Sequence, residues 1–201
     1  MSDKEENFAK PGRAFGQSPI WMYTTVALVV IIILGISLSR LGIVPWSKSA
    51  AEEYNDKTYD FSLRYPSGWT KLSDEELAKL REVFAFAVRR SNPNGFFAVR
   101  VLPGKAKDVQ LEGVARALDK TMPRSLRGFN KLAQDSIKID GAEALRLEYT
   151  FVSRRKLKIR EQLVIILRPG KVYYLVAWGA DRNFERLRAD FEKMTESLTL
   201  K

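Results

Sequence analysis

Residues 132–178, LAQDSIKIDGAEALRLEYTFVSRRKLKIREQLVIILRPGKVYYLVAW, decide the fold of this chain. They read as four consecutive strands: Leu132–Ile139, Ala142–Val152, Leu157–Leu167 and Val172–Trp178. Asp140-Gly141 turns the chain between the first two, and Pro169-Gly170 between the last two. In Pro-Gly the proline presets φ and the glycine accepts a positive φ, which is what a type II turn needs. Hairpin-linked strands of this length predict an antiparallel sheet.

Upstream, Tyr59–Tyr65 alternates apolar and polar residues, the period of a half-buried strand, and Pro66-Ser67-Gly68 then turns the chain before Trp69. Ser73-x-x-Glu76 is a capping box and predicts a short helix running to about Glu82. Val83–Val88 and Phe96–Leu102 read as strands joined by Asn92-Pro93-Asn94-Gly95. Asp108 is placed to cap a helix whose apolar face is Leu111, Val114, Ala115, Leu118 and Met122. Asp181 opens a last helix with Phe184, Leu187, Phe191, Met194 and Leu198 three and four apart, a stripe suited to covering the sheet. The expected class is α+β with a mostly antiparallel sheet.

Before this domain lies Trp21–Ser39, inside a stretch with no charge between Arg13 and Arg40. At about 1.5 Å per residue such a run crosses a hydrocarbon core of roughly 30 Å as a helix, which satisfies its own backbone. The expected organisation is a polar tail over 1–19, a single transmembrane helix over 20–40, a linker over 41–57 and a domain over 58–201. Lys4, Lys10 and Arg13 precede the apolar run; Arg40 and Lys48 follow it, a slight bias toward a cytoplasmic N-terminus and an extracytoplasmic domain. Ser49-Ala50-Ala51 offers cleavage-like spacing. The apolar run is longer than a signal h-region and lies far from that site, so an uncleaved anchor is expected.

The 201 residues contain neither Cys nor His. That removes disulfides, Cys/His zinc sites, thiol nucleophiles and imidazole acid–base catalysis. No Asp-x-Asp-x-Asp-Gly loop, Gly-x-Ser-x-Gly elbow or phosphate-binding Gly-rich loop occurs. No metal, cofactor or catalytic set is expected; a carboxylate-dependent enzyme, whose pair of carboxylates would be matched in space and not in sequence, is the lowest-ranked alternative. Net charge is +10, and all but one unit lies beyond Arg40. Such a balance favours acidic partners, lipid headgroups, polymers or proteins, or is simply a solvated surface. No nucleic-acid module is recognisable, so nucleic acid is not an expected partner.

The densest cationic stretch is Arg154-Arg155-Lys156-x-Lys158-x-Arg160, expected at a hairpin turn and the strand after it, with Lys156, Lys158 and Arg160 on one face. It can hold phosphates or carboxylates, or serve as a charged edge against sheet-to-sheet pairing. Arg124, Arg127 and Lys131 could extend it. Tyr65-Pro66-x-Gly68-Trp69 reads as a turn flanked by two rings that bury apolar area.

The order of these motifs resembles the PsbP-like family, including its DcrB-type bacterial members. Phe61-x-x-x-Tyr65-Pro66-x-Gly68-Trp69 opens the resemblance and Asp140-Gly141-x-x-Ala144-x-x-x-x-Tyr149 continues it. Tyr173-x-Leu175 and a terminal helix with Phe184, Phe191 and Ser197-Leu198 complete it. It implies an α/β/α sandwich without catalytic machinery that acts as an accessory or docking module, here as a membrane-anchored bacterial member. A partner protein is implied, with anionic lipid or polymer as the alternative ligand. A helical anchor and the Ser73–Glu82 helix depart from the lipoprotein members.

Overall fold

A computed structural model of the chain describes residues 51–80, 83–103 and 110–201. The anchor segment Trp21–Ser39 and the capping residue Asp108 lie outside them. Among the described residues no helix is long and apolar enough to cross a membrane.

Among the described residues two sheets form, antiparallel throughout. Strands β3 (Thr70–Lys71), β4 (Phe86–Ser91), β5 (Asn94–Pro103), β6 (Asn130–Ile139), β7 (Ala142–Val152), β8 (Lys158–Arg168) and β9 (Lys171–Ala180) build a seven-stranded sheet in the order β3-β4-β5-β9-β8-β7-β6. Strands β1 (Glu52–Asp56), β2 (Phe61–Tyr65) and β10 (Thr199–Leu200) make a three-stranded one. Among the described residues the helices are α1 (Asp74–Lys79), α2 (Leu111–Ser125) and α3 (Phe184–Glu196). The expected α+β class and antiparallel sheet are both present.

Turn chemistry sets the register. Asp140 and Gly141 both adopt positive φ, 48° and 75°, and close β6 on β7 with Ile139 opposite Ala142. That is the type I′ geometry whose twist matches flanking strands. Gly170, at φ 74°, lets Arg168 pair with Lys171. Ser73 Oγ accepts the Glu76 amide while the Glu76 carboxylate accepts the Ser73 amide, so the capping box forms. Helix α1 then ends at Lys79.

Each face of the large sheet is covered. Val114, Leu118 and Met122 of α2 pack on Leu145, Leu147, Leu163 and Ile165. On the other face Leu187, Phe191 and Met194 of α3, with Phe61, Leu63 and Tyr65 of β2, cover Phe97, Val99, Val164 and Leu175. Covering both faces explains why Leu163–Ile166 is a continuous buried apolar run. Each such side chain contributes about 1.5–3 kcal/mol on burial. Helix α3 approaches closely where Gly95 and Gly179 leave room: a Cβ on Gly179 would lie 2.7 Å from Leu187 Cδ1. The result is an α/β/α sandwich with the small sheet sharing the α3 layer.

Some boundaries differ from the sequence reading. Glu52–Asp56, within the stretch read as linker, is a strand paired along its length with β2. Its acidic residues hide a strand because only Asp56 is buried. Helix α2 begins at Leu111 behind Gln110, with no side-chain cap. Helix α3 starts at Phe184, after a 3₁₀ turn over Asp181–Asn183. Asn94 and Gly95, read as turn, belong to β5, which leaves Asn92-Pro93 as the loop.

Candidate functional site

The cationic stretch divides into two parts that behave differently. Strand β8 begins only at Lys158, and Lys156 sits in the preceding turn at φ 61°. The turn is pinned three times. Ser153 donates its amide to the Leu157 carbonyl at 2.8 Å, Lys156 donates to the Ser153 carbonyl at 2.9 Å, and Ser153 Oγ accepts the Leu157 amide at 3.1 Å. Arg154, Arg155 and Lys156 project from it exposed, and among the described residues none has an ion-pair partner. The expectation that Lys156, Lys158 and Arg160 share one strand face is therefore corrected, since only Lys158 and Arg160 lie on the strand. Ser153 and Lys156 also have Ser-x-x-Lys spacing, but here it falls in a β-turn and Ser153 Oγ is engaged by the Leu157 amide.

A second basic turn lies against the first. Val152 donates its amide to the Arg127 carbonyl at 2.8 Å, and Gly128, at φ 64°, packs beside the Val152 side chain. Arg124, in the last turn of α2, and Arg127 thus join Arg154, Arg155 and Lys156 at one end of the molecule. Among the described residues these two also lack ion-pair partners. Lys131 does not join them: it pairs with Asp119 of α2 at 2.7 Å. Lys158 pairs with Asp181 at 2.9 Å.

Arg160 is spent inside the fold. It bonds Glu148 and Glu185, the latter at 2.8 Å, and lies 5.0 Å from the centre of the Phe184 ring. Arg188 grips Glu148 at 2.9 and 3.0 Å, bonds Glu185 at 2.7 and 3.0 Å, and lies 5.2 Å from the same ring. Glu148 is only 7% exposed. Burial would raise its pKa, but hydrogen bonds from Arg188 and Arg160 outweigh that and hold it below the usual glutamate range. Arg188 bonding lowers Glu185 likewise, and the two carboxylates push Arg188 well above its ordinary value. This cluster fastens α3 to the sheet. Sequence reading passes over Glu148 and Arg188 because they lie 40 residues apart. The available signal was register: Thr150 faces Arg160 across the hairpin, which puts Glu148 diagonal to Arg160.

The Tyr-Pro-x-Gly-Trp motif is built into the core. Tyr65 and Trp69 are each 4% exposed, Gly68 takes φ 88°, and Trp69 donates its amide back to Pro66. Trp69 Nε1 bonds Asp190 at 2.8 Å, and Arg90 meets the same carboxylate at 2.6 Å. Burial and a hydrogen bond to Glu52 raise the Tyr65 phenol to about 12. Among the described residues no group of three or more acidic side chains gathers to hold a metal ion.

Comparison with solved structures places this architecture among known ones. The solution structure of CyanoP, the cyanobacterial PsbP of Synechocystis sp. PCC 6803, matches with TM-score 0.58 and 14% identity. The match covers 82% of this chain and 99% of that one. LpqN of Mycobacterium tuberculosis, involved in cell envelope biogenesis, matches with TM-score 0.52 and 16% identity over 76% of this chain and 92% of LpqN. A protein of Bacteroides thetaiotaomicron matches with TM-score 0.53 and 13% identity, over 76% of this chain and 49% of its own. At these identities the likeness concerns the fold. No curated protein matches by sequence. The sequence model of the PsbP family matches residues 49–200, so this chain belongs to the PsbP family.

Proposed function

We propose that this protein is a membrane-anchored, non-catalytic accessory module that docks on a membrane-associated protein assembly. The observation that carries the reading is how its buried and half-buried ionisable groups are used. Glu148 is held by two arginines, Asp190 by Trp69 and Arg90, and Glu161 by the Tyr149 hydroxyl at 2.5 Å. These groups hold the layers together, while the unpaired cations face outward. The apolar run at Trp21–Ser39 supplies the tether in this reading, and the slight bias of flanking cations favours a domain outside the cytoplasm. The involvement of LpqN in envelope biogenesis agrees with that location.

The test is site-specific photo-crosslinking of the full chain in native membranes, with probes at Arg155, Asn94 and Glu143, alongside a turnover screen. A discrete adduct with a membrane protein from one probe position, and no carboxylate-dependent turnover, is the expected result. Turnover abolished by Glu161→Gln in a folded variant contradicts it.

A second reading, binding of anionic lipid or polymer, is favoured by one observation: two basic turns from distant parts of the chain abut through the Val152–Arg127 hydrogen bond.

A further inference from the structure

We infer that the basic end is a bilayer-docking face, so that the domain lies with the Ser153–Leu157 turn against the anionic headgroups of the membrane that tethers it. The inference deepens the second reading above and rests on the anchor, not on the identity of any partner protein.

Charge comes first. Arg124, Arg127, Arg154, Arg155 and Lys156 are exposed, and among the described residues no carboxylate pairs with them. The neighbouring cations Lys131, Lys158 and Arg160 are each neutralised by a carboxylate of the domain. What remains is an uncompensated patch at one end, and cations this close to an anionic bilayer are attracted to its surface potential.

The second observation is Leu157. It is 42% exposed in the midst of these cations. Its amide and carbonyl are both bonded to Ser153, so the turn itself keeps the backbone in place beneath the outward side chain. Cations beside an exposed alkyl group match an interface where charge meets headgroups and the alkyl group reaches the acyl boundary. An acidic polymer offers the charge but no apolar layer. Leu157 therefore favours lipid over polymer.

The third is reach. Eleven residues, 41–51, separate Arg40 from β1 in the sequence. Fully extended they span at most about 40 Å. A domain of this size has a radius of gyration of about 15 Å and so measures roughly 40 Å across. A tether of that length keeps every face within range of the bilayer at high effective concentration, so a weak patch suffices to choose the orientation.

The test uses the full chain in nanodiscs of phosphatidylcholine, with and without a third phosphatidylglycerol. The native sequence has no cysteine, so single sites can be labelled cleanly. Leu157→Cys carries an environment-sensitive fluorophore, Arg124→Cys provides a second site on the same end, and Glu143→Cys reports the opposite end. Quenching by headgroup-nitroxide lipid is the readout. The account expects several-fold stronger quenching at 157 and 124 than at 143 in anionic discs. That contrast should collapse in neutral discs, at high salt, and in R154E/R155E/K156E. Equal quenching at all three sites, no quenching at any, or a contrast indifferent to lipid charge and salt would overturn it. So would release of the 157 site by trace polyglutamate, which would hand this end to an acidic protein or polymer. A chain that fails to enter the discs sinks the anchored-module reading itself; one that enters without contrast sinks only this inference.

Discussion

The Val152 amide donates to the Arg127 carbonyl at 2.8 Å, and this one bond sets the α2–β6 turn beside the β7–β8 turn. Gly128 makes the approach feasible: it takes φ 64°, and a Cβ there would meet Val152 Cγ2 at 3.1 Å. Gly128→Ala is expected to cost about 1–2 kcal/mol through the left-handed backbone alone. Urea unfolding monitored by tryptophan fluorescence checks this, and an unchanged midpoint would contradict the turn geometry.

Cations of equal formal charge differ sharply in structural weight. The exposed set should be dispensable: R154E/R155E/K156E shifts stability by no more than about 0.5 kcal/mol. Arg160, bonded to Glu148 and stacked on Phe184, should not be. Arg160→Ala is expected to cost about 1–3 kcal/mol, since Glu148 keeps Arg188 but loses one of its two charged donors. Thermal melts of the two variants side by side distinguish them.

Helix α3 seats on glycine. Gly179→Ala would bring its Cβ to 2.7 Å from Leu187 Cδ1 and 3.2 Å from the Asn94 carbonyl. The expected loss is about 1–3 kcal/mol from overpacking. Leu187→Ala removes the first clash, so the double variant should lose less than the sum of the singles, a coupling a double-mutant cycle reads directly.

Acid should loosen the α3 layer. Glu148 and Glu185 have folded-state pKa values below those of the unfolded chain, whose glutamates titrate near about 4.3. Their contribution is fully present above that value, where both states are ionised. It is lost as pH falls through the folded values, because the unfolded state takes up protons first. Stability should thus be level from neutral pH down to about 5 and fall below that. Glu148→Gln should be less stable at neutral pH by about 1–3 kcal/mol, since Arg160 and Arg188 keep Glu185 but lose the buried carboxylate they share. Its acid limb should be flatter, as urea titrations across the acid range would show.

The hairpin ladder was legible because its signals are local. Asp140-Gly141 and Pro169-Gly170 each dictate a turn, and the strands on either side follow. The apolar stripes of α2 and α3 were legible for the same reason. Strand β1 was not: Glu-Glu-Tyr-Asn-Asp buries only Asp56, and its identity comes from pairing with β2. Two-residue strands such as β3 and β10 carry no period at all. At the basic end, composition identified the charges but not which were already taken. Arg160 looks like Arg155 in sequence. Only the fold brings Glu148 and Glu185 to one and leaves the other outward.

The anchored-module account is tested most directly by alkaline carbonate extraction of cell membranes carrying the full chain. The chain should stay in the membrane pellet, and a variant lacking residues 21–39 should move to the supernatant while keeping its thermal transition. Release of the intact full chain by carbonate would contradict the account.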